Sequence, residues 1–103
     1  MDLKQSLEVV SRTGKLVVGY RRTLKLVAEK KPVLVVASRR SSSKLLKTIT
    51  VMASAAGVPL ILSDLSPAEL GLSLRKPLPT SFISVLDPGS SDLAERVRSE
   101  SGE

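Results

Sequence analysis

The chain contains no cysteine and no histidine, and each absence removes a class of chemistry. Without Cys there are no disulfides, thiolate metal sites or cysteine nucleophiles; without His the commonest general base and metal ligand is missing. Asparagine is absent too, and Gln5 is the only glutamine, a shortage of thermolabile side chains of the kind that hot-living sources show. Tyr20 and Phe82 are the only aromatic residues, too few for the stacking platform of a single-strand binder. No apolar run approaches the roughly 18 residues of a membrane span, and Asp2, Lys4 and Glu8 interrupt the N-terminal stretch that a signal peptide would keep apolar. A cytosolic protein with no membrane partner is expected.

What is present is positive charge, unevenly placed. Sixteen Lys and Arg oppose ten Asp and Glu in 103 residues, a formal charge of +6. Eleven of the basic residues lie between Arg12 and Lys47 with a single acid, Glu29, so that this segment carries +10 and the remainder −4. A chain polarised in this way offers one face to a polyanion, and phosphate neutralisation is the commonest use of such a field. An anionic membrane would require an amphipathic helix rich in bulky apolar residues, which is not visible. One domain with one core, over residues 1–98, is expected, since a chain of this size buries roughly two thirds of its unfolded surface.

Local signals predict alternating helices and strands. Asp2 caps a helix to about Arg12, with Leu3, Leu7 and Val10 on one face and Gly14 as its stop. Lys15 to Val18 is a short β-branched strand, and Gly19 turns the chain into a second helix with Tyr20, Leu24, Val27 and Ala28 as its apolar stripe. Val33 to Ala37, apolar throughout, has the character of a strand covered on both faces. Several serines precede a third helix from about Ser42 to Ala56, and Val58 to Leu62 is a third strand. Ser66-Pro67-Ala68-Glu69 is a capping box with proline in the first helical position. The two-proline loop Arg75 to Thr80 precedes a fourth strand, Ser81 to Leu86; a last helix starts near Asp92, and residues 99–103 form a disordered tail. The order implies an α/β fold, a small sheet covered by helices on both faces. If the first strands are parallel, Gly19 to Lys25 and Ser38 to Lys44 share the sheet edge where open α/β folds bind ligands.

With Arg12-Thr13-Gly14-Lys15, Gly19, Glu69-Leu70-Gly71, Lys76-Pro77 and Asp87-Pro88-Gly89 in that order, the chain resembles large-subunit ribosomal proteins of the L30e type, within the kink-turn RNA-binding superfamily. The likeness spans roughly Asp2 to Val97. It implies a three-layer α-β-α sandwich with a small mixed four-stranded sheet, and a ribosomal location with ribosomal RNA and neighbouring ribosomal proteins as partners. It also implies an RNA surface made from the start of the second helix, the loop after the second strand and the loop before the fourth. Here those are Gly19, Arg21, Arg22 and Lys25; Ser38, Arg39, Arg40 and Ser41; and Leu78, Pro79 and Thr80. The superfamily pattern at the second helix has Asn and then Glu or Gln where this chain has Arg21 and Arg22. Asn donates and accepts, whereas Arg only donates, which suits it to guanine O6 and N7.

For Arg21, Arg22 and Lys25 the plain alternative is a solvated helix face. Against it, cations at a helix N-terminus oppose the macrodipole by about 0.3 to 1 kcal/mol each, which an anionic partner offsets. Arg39 and Arg40 either solubilise their loop or contact phosphate, positioning rather than specifying, and Lys44 and Lys47 are further contacts or simply the polar face that the third helix needs. Tyr20 is a core anchor or a base stacker; Leu78 and Pro79 pack on an extruded base or simply hold their loop. Ser41 and Lys44 match a Ser-x-x-Lys spacing, but its companion motifs are missing and the serines serve as caps. Gly14-Lys15 is no phosphate loop, with Val9 in place of the first glycine. Asp64, Glu69, Asp87 and Asp92 stand in cap and turn contexts, a poor metal site. A ribosomal RNA-binding protein, monomeric when free, without cofactor or catalysis, is therefore expected. A kink-turn binder of a guide or regulatory ribonucleoprotein, and then a small-ligand or nucleotide module, are the alternatives.

Overall fold

The first helix, α1 (Leu3–Thr13), starts in a reciprocal cap: the Asp2 carboxylate accepts from the Gln5 amide at 2.8 Å and the Gln5 side chain accepts from the Asp2 amide at 3.1 Å. The computed structural model, which describes residues 2–100, continues with β1 (Lys15–Val18), α2 (Tyr20–Ala28), β2 (Leu34–Ser38), α3 (Ser43–Ala56) and β3 (Leu60–Ser63). Then come α4 (Pro67–Ser73), β4 (Phe82–Asp87) and α5 (Leu93–Glu100). The tail expected from Ser99 thus begins inside α5, and residues 101–103 lie outside the described residues. At α4 the predicted box is formed, Ser66 accepting from the Glu69 amide and Glu69 from the Ser66 amide.

The strand order is β1-β4-β2-β3. β4 is antiparallel to both neighbours and β2 is parallel to β3, so β1, β2 and β3 point one way and β4 the other. Strand alternation sorts the apolar side chains into two layers. Leu34 and Val36 of β2 join Ile83 and Val85 of β4 beneath α1, α4 and α5, with Leu7, Val10, Leu70 and Leu93. Val35, Ala37 and Phe82 point the other way, into Val27, Ile49 and Ala53 of α2 and α3. This is the mixed four-stranded α-β-α sandwich; β2 is buried along its whole length, as its unbroken apolar run requires.

Two local expectations are corrected. Ala28 is exposed, and the buried position on α2 belongs to Thr23, whose hydroxyl accepts from that of Ser84 at 3.0 Å in the middle of the α2–β4 contact. Ser42 stands at the N-cap of α3, but its side chain makes no capping bond. At the opposite end of the sheet two of the quoted motifs touch: the Thr13 hydroxyl accepts from the Ser90 amide at 3.0 Å, tying the end of α1 to the turn after Asp87-Pro88-Gly89.

Candidate nucleic-acid interface

Because β4 runs against its neighbours, the C-terminal ends of β1 and β2 and the start of β4 fall on one edge. The joint is made of backbone. The Gly19 amide donates to the Phe82 carbonyl at 3.0 Å, and the Ser38 amide to the Ser81 carbonyl at 2.9 Å. All three loops named above therefore stand side by side, including the one before β4, which periodicity alone does not bring there.

Gly19 has φ 112 and ψ 146, a region that glycine alone occupies freely, and a Cβ there would meet nothing within 4 Å. Its backbone demands glycine, while the space in front of it stays open. No side chain caps α2, whose first backbone bond within the turn is from Thr23 to the Gly19 carbonyl at 3.0 Å, so the amides of Tyr20, Arg21 and Arg22 have no acceptor within the helix. Arg21, Arg22 and Lys25 are exposed around this end. α3 likewise starts without a side-chain cap, with Lys44 exposed in its first turn. α1 and α4, by contrast, satisfy their own amides through capping boxes.

Arg39 and Arg40 are exposed in the loop after β2. Arg39 Nε lies 3.0 Å from the Asp64 carboxylate, an exposed pair of the kind that contributes little and releases easily. Glu69 is held below the usual carboxylate range chiefly by its hydrogen bonds with Ser66, helped by the Arg40 charge, so Arg40 also has a nearby anion. Two of the candidate side chains do not face outward. Ser38 is fully buried: its hydroxyl donates to the Leu65 carbonyl at 2.8 Å and accepts from the Arg40 amide at 3.1 Å. Thr80, 8% exposed, donates its amide to the Pro67 carbonyl at 3.0 Å and its hydroxyl to the Phe82 carbonyl at 3.3 Å. Both shape the loops from within. Ser41, half-buried, donates to the Ser38 carbonyl at 2.7 Å.

Between α2 and the loop before β4 lies an open cleft of about 500 Å³, lined by Gly19, Tyr20, Leu45, Pro77, Leu78 and Pro79 among others. Tyr20 serves the core and the cleft together, its ring tilted 57° against Phe82 at 5.3 Å. Leu78 is 73% exposed at the rim, an apolar side chain left in water beside a basic surface. Beneath this loop runs α4, whose Gly71 carbonyl accepts from the Lys76 amide at 2.9 Å. Leu45 and the bracing by α4 are not apparent from sequence spacing; Tyr20 stays open there between core anchor and base stacker, and only the family resemblance points to Leu78 and Pro79. Among the described residues, no group of three or more His, Cys, Asp or Glu is placed to hold a metal, and no helix is long and apolar enough to cross a membrane.

A sequence model of the ribosomal protein L7Ae/L30e/S12e/Gadd45 family matches residues 1–95. Large ribosomal subunit protein eL30 of Pyrobaculum neutrophilum is 32% identical over 97 residues, covering 94% of this chain and 96% of that protein. The same protein of Sulfurisphaera tokodaii is 33% identical over 95 residues, covering 92% and 90%. The eL30 of Methanocaldococcus jannaschii is 29% identical over 102 residues, covering 99% and 93%. Among solved structures, a protein of unknown function from Bacillus halodurans is similar with a TM-score of 0.75 over 100% of both chains; at 18% identity this likeness concerns the fold alone.

Proposed function

The chain belongs to the ribosomal protein L7Ae/L30e/S12e/Gadd45 family, and from that premise we propose that it is a structural, non-catalytic constituent of the large ribosomal subunit that binds ribosomal RNA at the sheet edge bearing Gly19, Arg40 and Pro79. The observation that carries this reading is the backbone joint: Gly19 to Phe82 and Ser38 to Ser81 hold two uncapped helix starts and the Leu78–Pro79 rim on a single edge. The free amides of α2 take a phosphate, with Gly19 allowing its close approach. Arg39, Arg40 and Lys44 hold further phosphates and so fix orientation. The cleft beside Tyr20 and Leu78 has the apolar walls and the size to receive one extruded base. Arg21 and Arg22, donors only, address acceptor edges such as guanine O6 and N7.

The test is binding to a kink-turn duplex beside an unkinked duplex of equal length, titrated over salt, together with co-sedimentation with large subunits. Tighter binding to the kinked RNA that persists at higher salt is expected. Equal affinities with equal salt slopes would overturn the shaped-site reading, and failure to sediment with large subunits would overturn the ribosomal one.

A further inference from the structure

β1 is an edge strand of the sheet: it pairs with β4 on one side and, among the described residues, with no strand on the other. A cleft of about 330 Å³ lies on the α2 side of this strand, beside Val17, with Arg22, Lys25 and Lys31 on its walls. Another of about 290 Å³ lies on the α1 side, beside Leu16, with Lys15 and Lys76. The two clefts carry five cations and one acid, Glu29, which is paired with Lys31 at 3.4 Å. Asp87 stands opposite Lys15 in the ladder, but its carboxylate accepts from the Gly89 amide at 2.9 Å. The interface described above already includes Arg22 and Lys25, and Lys76 also lines its cleft, which leaves Lys15 and Lys31 without a role.

A bare strand edge can recruit another strand, but this one is defended against it. It is four residues long, its ladder is irregular between Lys15 and Leu16, and it opens on a lysine. What it offers is charge on both flanks. β1 runs toward Gly19 and α2 away from it, so Lys15 at the start of the one and Arg22, Lys25 and Lys31 along or just past the other follow the two elements that meet at the α2 N-terminus. The strand spans about 13 Å, long enough to run beside a short stretch of RNA backbone.

We propose that the β1 edge, with Lys15, Lys31 and Lys76 extending the line of Arg22 and Lys25, is a second track for RNA backbone, holding a stem that flanks the element docked at α2. This inference rests on the RNA-binding reading above. The track positions the stem and reads no bases.

The double variant Lys15→Ala with Lys31→Ala tests it, because both side chains are exposed and neither lies at the docking edge. Three probes are needed: a kink-turn RNA trimmed close to the kink, and the same RNA with one or the other stem extended by about ten base pairs, roughly a helical turn. Wild-type protein should bind at least one extended RNA more tightly and with a steeper salt slope than the trimmed one. On that RNA the variant should lose about 1.8 of slope, at roughly 0.9 per phosphate contact, and bind about tenfold more weakly at low salt. On the trimmed RNA it should match wild type. Equal behaviour of variant and wild type on both extended RNAs would overturn the proposal, as would an equal loss on all three. Loss of a polyglutamate ligand alone, with RNA binding intact, would assign the edge to an acidic protein segment instead. Wild-type protein that fails to bind the trimmed RNA would refute the primary reading, and the track with it.

Discussion

A methyl group on Gly71 would stand 2.2 Å from the carbonyl oxygen of Leu78, and the nearest atoms are all backbone. α4 and the loop before β4 are therefore in direct main-chain contact, reinforced by Lys76 to Gly71 at 2.9 Å and Thr80 to Pro67 at 3.0 Å. Gly71→Ala must push the loop off the helix, and backbone gives way less readily than a side chain. A loss of about 1 to 3 kcal/mol is expected, which for a chain of this size is a fall of roughly 4 to 8 °C in Tm per kcal/mol. The cleft beside Tyr20 should open with it, so affinity for a kinked RNA should fall more than affinity for an unkinked duplex. Wild-type Tm with wild-type RNA binding would show that α4 is not the brace.

Arg21 and Arg22 set function against stability. Both are exposed in the first turn of α2, where the macrodipole disfavours a cation by about 0.3 to 1 kcal/mol. Arg21→Ala with Arg22→Ala should leave the free protein as stable as before or more so. RNA affinity should fall, with the salt slope reduced by about 0.9 for each lost phosphate contact. Thermal unfolding and salt-titrated binding on the same preparations decide it; unchanged RNA binding would remove these two residues from the interface.

The parts of this design legible from the sequence are those that depend on near neighbours. The strand Lys15 to Val18, the Ser66–Glu69 box and the apolar run of β2 are each specified within a few residues, by β-branching, cap chemistry and unbroken hydrophobicity. The insertion of β4 between β1 and β2 is not, because no local period records which strand pairs with which. That single long-range choice brings the Leu78–Pro79 rim beside Gly19, and only the family resemblance anticipated it. The same limit applies to Ser38 and Thr80. Small polar residues in loops look available for binding until their hydroxyls are seen bonded inward. Thr23, left out of the stripe of Tyr20, Leu24, Val27 and Ala28, is buried for the same reason, its hydroxyl bonded inward to Ser84.

Acid should weaken the α1–α5 contact. The Ser6 hydroxyl donates to the Asp92 carboxylate, and this bond, helped by Arg96 at 3.8 Å, holds the Asp92 carboxyl below the ordinary aspartate range against the opposing effect of burial. A carboxyl whose folded pKa is depressed contributes stability above its unfolded value, and that contribution is lost as pH falls through the folded one. Ser6→Ala should cost about 1 kcal/mol at neutral pH, at the low end for a bond to a charged group because Asp92 is partly exposed. The Tm gap between wild type and Ser6→Ala should narrow in acid, once the carboxyl is protonated. A gap that stays constant far below the ordinary aspartate pKa would refute this account.

The Thr23–Ser84 hydroxyl pair gives the interface helix its fixed seat. Both residues are fully buried, 3.0 Å apart, between α2 and the central strand β4, and Thr23 follows Arg22 directly. Removing one partner leaves the other hydroxyl without it in an apolar setting, at about 1 to 3 kcal/mol, whereas removing both can be nearly neutral. Thr23→Val and Ser84→Ala should therefore each lower Tm, and the double variant should lose less than the sum of the two. RNA binding separates a structural bond from a functional one. If the pair fixes the rotation of α2 on the sheet, each single variant should weaken kinked-RNA binding in the folded protein, and the apolar double should restore part of it. Additive stability losses, or RNA affinity that ignores all three variants, would mean that α2 is held by Val27 and its apolar neighbours alone.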